Sequence, residues 1–138
     1  DIPIIQLSLN YTQKPEYHYQ LAKELASVRK KGTLIVGSGN MIHNLRQVAW
    51  DKMNVDNFAY DWAIEANEKM KSFISDRNHS ELINYQKQGT AFNLSIPTPD
   101  HYLPMLYILA LRSEKEEVDI FNDKYVGGSL SMTSFKIY

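Results

Sequence analysis

The feature that most constrains the fold is a stretch over residues 33–46, with the sequence TLIVGSGNMIHNLR. Residues 33–36 have the composition of a short buried strand, and the Gly-rich turn 37–40 follows it. His43 then lies near the start of a helix that we predict over residues 41–49. In open α/β sheets, ligands bind in the crevice beyond the carboxyl ends of the strands. The stretch therefore predicts an α/β fold with a titratable, metal-competent ring at that crevice.

The residues before this stretch predict a βαβ unit. Apolar and polar residues alternate along residues 2–9, as expected for a strand with one polar face. A helix is predicted over residues 17–31, with Tyr17, Leu21, Leu25 and Val28 at helical spacing and Gly32 as its stop. A strand, a helix and the strand 33–36 in this order favour parallel pairing with a right-handed crossover.

The remaining chain predicts helices flanking a parallel or mixed sheet and a C-terminal β-hairpin. We expect helices over residues 57–75, 80–86 and 102–111, and an extended, proline-punctuated segment over residues 92–99. The hairpin strands are predicted over residues 118–121 and 130–137. With 138 residues, the chain is expected to form a single domain over 1–138.

Composition excludes several classes of function. The net charge of -1 gives no basis for binding nucleic acid, and no apolar run is long enough to span a membrane. Because cysteine is absent, any metal site must use His, Asp or Glu, and a cytoplasmic setting is the default. The chain begins directly on an apolar strand without Met, so we expect it to be the later part of a longer protein.

Two histidines are candidates for a shared site. His43 follows the Gly-rich turn, and the partial positive charge of a helix start would lower its pKa and favour the neutral base. His101, with Asp100 beside it, opens an apolar helix. A structural role stays open for each: an ordinary histidine near a helix start, and an exposed histidine beside an N-cap. His18 and His79 are interpreted as structural.

The turn itself does not match a nucleotide-binding motif. Residues 37–42 lack the third glycine of the dinucleotide fingerprint, and no Walker lysine follows. A tight strand-to-helix turn and a turn that a ligand approaches both remain open. Spacing and composition alone therefore leave an α/β domain with two histidines that could share a site, and they name no reaction.

Four stretches resemble the class III extradiol ring-cleavage dioxygenases, most closely the bacterial branch of 4,5-DOPA extradiol dioxygenases. They are IPIIQLSL at residues 2–9, GSGNMIHNLR at 37–46, TPDHYLPMLY at 98–107 and GSLSM at 128–132. The resemblance implies a partial copy of the extradiol dioxygenase fold, namely the C-terminal part of the catalytic domain. It implies a non-haem Fe(II) site, which could also hold zinc, and cleavage of a DOPA-like catechol with O2.

Carried over by position, the resemblance makes His43 and His101 catalytic residues that also line the metal. His43 matches a histidine with an acid/base role, and His101 falls where the wider family has an acidic ligand, with Asp100 as a further candidate. Which of the two histidines is the ligand stays open. The family's two earlier histidine motifs, GHGSP-like and SxHW-like, do not occur in this sequence.

The resemblance therefore implies that a missing N-terminal half supplies further ligands and that this chain alone is inactive. Its apolar surface would favour association with that half or with another copy. Two alternatives remain: a non-catalytic binding or assembly domain that keeps the fold, and, more weakly, a small zinc-dependent hydrolase.

Overall fold

A computed structural model describes residues 1–138 and shows a mixed α/β fold. The elements run in the order α1 (Pro15–Glu24), α2 (Ala26–Arg29), α3 (Asp61–Ser75), α4 (His79–Ile83), α5 (Thr90–Ser95), α6 (Leu103–Ala110), β1 (Val118–Phe121), β2 (Tyr125–Val126), β3 (Leu130–Ser131) and β4 (Ser134–Ile137). Short 3₁₀ turns occupy Leu45–Gln47, Trp50–Lys52 and Tyr85–Lys87. The predicted α/β class is confirmed, and so are helices at the positions of α1 to α4 and α6.

The core forms where α3, α5 and α6 meet. The apolar face of α3 is buried through Ala66, Met70 and Ile74, which recur at the spacing of one helix face. Helix α6 is buried on nearly all sides, and Pro104 is accepted in its first turn because the N–H it lacks would have no helical partner there. Phe92 of α5 is fully buried and packs against Phe73. These contacts fix the start of α6, which follows His101.

The strands form two small antiparallel sheets. β1 pairs with β4, with Val118 opposite Ile137 and Phe121 opposite Ser134, and β2 pairs with β3. The predicted C-terminal hairpin is thus confirmed, although its second strand is divided between β3 and β4. β3 is the element that reaches the candidate site, through an isolated antiparallel bridge between Leu130 and His43.

The predicted βαβ unit is not formed. Residues 2–9 and 33–36 belong to no strand, and no backbone hydrogen bond joins either segment to another part of the chain. Only the helix between them is present, as α1 and α2. A strand needs a neighbour for its backbone groups, and no segment of this chain pairs with these two.

Two local predictions are also wrong. No α-helix spans residues 41–49, because the N–H groups of His43, Asn44 and Ala49 donate to carbonyls of distant segments. Residues 92–99 are not uniformly extended, since α5 continues to Ser95. Proline restricts mainly the residue before it, so Pro97 ends the helix near Ile96 but leaves the preceding residues free to be helical. None of the helices combines the length and apolarity needed to cross a membrane.

Candidate functional site

His43 lies in a loop that is held from both sides. Its N–H donates to the carbonyl of Ser95 at 2.9 Å, and the residue bridges to Leu130 of β3. The next residue, Asn44, is buried, and its side-chain amide donates to the carbonyl of Leu94 at 2.7 Å. The hydroxyl of Ser129 donates to the Asn44 carbonyl at 2.8 Å. The backbone that carries His43 is therefore fixed between α5 and β3.

His101 lies in the turn that leads into α6. The N–H groups of Tyr102 and Leu103 donate to the carbonyl of Pro99, each at 2.9 Å, and close this turn. The carbonyl of His101 accepts a hydrogen bond from the N–H of Asn40 at 2.9 Å. The Gly-rich turn after residues 33–36 is thereby tied to the start of α6.

The structure brings the two predicted histidines into contact. The imidazole rings of His43 and His101 are stacked, with 3.8 Å between their centroids and 16° between their planes. The Asp100 carboxylate lies 3.5 Å from His101 Nε2. The side chains of Asp100 and His101 are 46% and 43% exposed, so solvent and a ligand can reach these two side chains.

The pKa of His43 is lowered from its ordinary value of 6.5, as the sequence predicts, but the main cause differs. Burial of the ring is the largest cause, followed by the proximity of His101, while the Asp100 carboxylate opposes the change. No helix begins at this residue, so a helix dipole is not involved. The pKa of Asp100 is also lowered, chiefly by a hydrogen bond from the Thr98 side chain. At neutral pH the site therefore combines a neutral His43 with the ionised Asp100 carboxylate, which lies beside His101.

These residues do not form a complete metal site by themselves. An imidazole binds a metal through a lone pair in the ring plane, at about 2.1 Å for zinc. Because the two rings are nearly parallel and stacked, their lone pairs do not converge on one atom in this arrangement. No group of three or more His, Cys, Asp or Glu side chains is placed to hold a metal ion. The pair can at most contribute to a metal site whose other ligands come from elsewhere.

A groove of about 420 Å³ borders His101. Residues 33–37, α6 and β4 line it, and His101 and Asn40 are among its polar residues. Its walls include the apolar side chains of Met105, Phe121 and Phe135. The groove thus offers an apolar surface next to the stacked imidazoles.

The other two histidines do not join the pair. His18 is fully buried, with Nδ1 3.0 Å from the Tyr107 hydroxyl and Nε2 3.1 Å from the Asn10 carbonyl oxygen. His79 Nδ1 lies 2.8 Å from the hydroxyl of Tyr19. Both rings join α1 to other parts of the fold, which agrees with the structural roles predicted for them.

From the sequence, Ser129, Ser131 and Ser134 were only weak candidates for lining a pocket, and the buried partners of Ser131 were not predicted. Ser131 is fully buried and contacts Asn67 and Thr133 through its hydroxyl, at 3.2 and 2.6 Å. The Asn40 side chain donates to the carbonyl of Ser131 at 2.8 Å. Three polar residues alternating along the last part of the chain, at 129, 131 and 133, were the available signal. Alternation alone does not distinguish a solvent-facing strand face from one buried against polar partners.

Comparison with known families identifies the fold. The profile of the family described as "Catalytic LigB subunit of aromatic ring-opening dioxygenase" matches residues 1–133. A solved structure of an uncharacterized protein from Escherichia coli K12 superposes with a TM-score of 0.86 and 37% identity, covering 98% of this chain and 55% of that one.

Two named relatives agree with this profile. The 4,5-DOPA dioxygenase extradiol of Escherichia coli (strain K12) is 39% identical over 142 residues, covering 99% of this chain and 50% of the relative. The protein of the same name from Beta vulgaris is 25% identical, covering 99% of this chain and 49% of the relative. The chain thus spans about half the length of these relatives. The match over residues 1–133 shows that the chain belongs to the LigB family of aromatic ring-opening dioxygenase subunits.

Proposed function

We propose that this chain is the C-terminal part of an extradiol dioxygenase that opens a DOPA-like catechol with O2. The observation that carries the proposal is the stacked pair of His43 and His101 in a chain whose relatives are named 4,5-DOPA dioxygenase extradiol. In the proposed reaction, the ring bond beside the diol breaks and both oxygen atoms of O2 enter a ring-opened semialdehyde. The enzyme is proposed to act in the cytoplasm.

His43 is proposed to act as the base toward a catechol hydroxyl. Its lowered pKa keeps the ring neutral near pH 7, so that it can accept the proton. The nearby Asp100 carboxylate favours the protonated form of His43, which helps that ring to hold the proton. The apolar groove next to His101 suits an aromatic ring. These residues therefore bind and deprotonate the substrate in the proposal.

The family's enzymes use a non-haem metal. We propose Fe(II) for activity, with zinc possible in the same place, and we assign both His43 and His101 to its surroundings. The remaining ligands are assigned to an N-terminal half, because the two rings alone do not make a complete site. Exposed Ile2, Ile4 and Leu34 support association with that half or with a second copy.

The proposal is tested with the full-length protein, DOPA and ferrous iron. Yellow ring-opened product is expected, and His43→Ala and His101→Ala should each lower kcat by at least about 100-fold, the usual range for losing an acid or base. Metal content is measured on the same variants. A variant that keeps its metal but loses turnover identifies the acid/base group, and loss of metal identifies a ligand.

His79→Gln is the matched control, because it removes a histidine whose contact is with Tyr19 rather than with the pair. It should retain turnover. Absence of product with DOPA and with simple catechols would contradict the substrate class. Unchanged turnover in both site variants would contradict the role of the pair.

A second candidate is a non-catalytic binding or assembly domain. The incomplete donor set and the coverage of only half of each relative favour it. Intact-mass measurement of the natural protein distinguishes the two: a mass near 16.0 kDa supports the non-catalytic domain, and about twice that mass supports the enzyme.

A further inference from the structure

Asn40 is bonded to both walls of the candidate site. Its backbone N–H donates to the carbonyl of His101 at 2.9 Å. Its side-chain Nδ2 donates to the carbonyl of Ser131 at 2.8 Å. One residue therefore joins the turn that carries His101 to the strand β3.

The strand β3, on one side of this connection, is held by several hydrogen bonds. The N–H of Ser131 donates to the carbonyl of Ile42, the neighbour of His43, at 3.1 Å. Leu130, which precedes Ser131, bridges to His43. Ser131 is fully buried, and its hydroxyl contacts Asn67 and Thr133. β3 thus holds the backbone of His43 and is itself anchored in the core.

The fit between the Gly-rich turn and the His101 turn is close. A Cβ at Gly39 would come within 2.2 Å of the His101 carbonyl oxygen and within 3.2 Å of the Pro104 ring. No side chain fits there, so the glycine allows the backbone of the next residue, Asn40, to reach His101. The sequence feature Gly39-Asn40 is explained by this contact rather than by a phosphate.

We infer that Asn40 is a positioning residue that holds the His101 ring against His43, by tying the His101 turn to β3. The rings contact each other only if the two turns that carry them keep a fixed separation, and Asn40 is bonded to both sides. The claim that this positioning supports catalysis rests on the proposed function. The claim that Asn40 holds the two rings together does not depend on it.

The test is the nuclear Overhauser cross-peak between the ring protons of His43 and His101 in the purified protein. Wild type is expected to show this cross-peak, because the centroids are 3.8 Å apart. Asn40→Ala removes the Nδ2 donor and should abolish the cross-peak while the thermal unfolding transition remains cooperative. Asn40→Ser, a smaller perturbation, should weaken it. His43→Gln and His101→Gln assign the resonances.

Asn84→Ala is the matched control, because Asn84 also donates Nδ2 to a carbonyl, that of Ser80, at 2.9 Å. It should leave the cross-peak unchanged. A cross-peak that persists in Asn40→Ala, or that is missing in wild type, would overturn the inference. Unfolding of both Asn40 variants would also overturn it, since Asn40 would then be a residue of the fold as a whole. Failure of DOPA turnover with an intact cross-peak pattern would reject the proposed function alone.

Discussion

The first 36 residues and the rest of the chain both carry apolar patterns, but their apolar side chains are buried to very different degrees. In the first region, Ile2, Ile4 and Ile5 are 90% or more exposed, and Leu34 is 86% exposed. Even the helical stripe of α1 is partly exposed at Tyr17 and Leu21, while His18 and Ala22 are the buried residues. In the second region, side chains of α3, α5 and α6, among them Met70, Phe92 and Leu106, form one buried cluster.

The difference follows from how helices and strands satisfy their backbone hydrogen bonds. A helix satisfies most of its backbone hydrogen bonds within itself, so α1 forms although one of its faces lacks cover. A strand depends on a neighbour, and residues 2–9 and 33–36 have none within this chain. The apolar pattern in the first region therefore forms an exposed apolar surface in this chain.

The largest difference between the two regions is expected in the free energy of unfolding when a large apolar side chain is truncated. Phe92→Ala should lower the free energy of unfolding by about 3–5 kcal/mol, because it removes a fully buried ring and leaves a cavity. Ile4→Ala, in the exposed first region, should change it by no more than about 0.5 kcal/mol. Urea denaturation of the purified chain measures both. A large cost for Ile4→Ala would show that residues 2–9 are buried in solution, for instance by a second copy.

A smaller effect is expected from the buried polar network behind β3. Asn67 is fully buried, donates to Asp123 Oδ1 at 2.9 Å and accepts from the hydroxyls of Ser131 and Thr133. Asn67→Ala removes these three hydrogen bonds, while the Ser131 and Thr133 hydroxyls keep the bond to each other, and the change should cost about 1–3 kcal/mol. Thr12→Ala, which removes an exposed hydrogen bond to Asn10, is the first-region control and should cost less than about 0.5 kcal/mol. Equal costs in urea denaturation would contradict the contrast.

The same distinction explains what the sequence could predict. The helix α3 with its strong apolar period, the almost wholly apolar helix α6 and the strand β1 are where the pattern predicts them. The predictions of strands over residues 2–9 and 33–36 and of a helix over residues 41–49 were wrong. The conformation of these segments depends on hydrogen-bond partners that are distant in the sequence. A shared site for His43 and His101, 58 positions apart, was one open interpretation of the residues, and the family resemblance favoured it. Asn40 was considered from the sequence only as a polar neighbour able to orient a ring, and its contacts were not predicted because its partners lie at 101 and 131.

The smallest expected effect comes from an ion pair that attaches the first region to the second. The Arg29 guanidinium of α2 binds the Glu116 carboxylate and lowers its pKa to about 2, with help from the N–H of Ser113. A lowered pKa in the folded state means that the stabilisation is present above the ordinary value of 4.5 and is lost as the pH falls toward 2. Because the Arg29 and Glu116 side chains are 33% and 20% exposed, Arg29→Ala should cost no more than about 1 kcal/mol at pH 7.

Arg29→Ala should also raise the pKa of Glu116 toward 4.5, which an NMR titration of its carboxyl carbon measures. Lys69→Ala breaks an exposed pair with Glu65 on α3 and is the control that should leave Glu116 unchanged. A Glu116 pKa that stays near 2 in Arg29→Ala would assign the shift to the Ser113 N–H at 2.7 Å, within the second region. The first region would then be held to the second by apolar contacts and by the hydrogen bonds of His18 and Tyr19, with no electrostatic contribution from this ion pair.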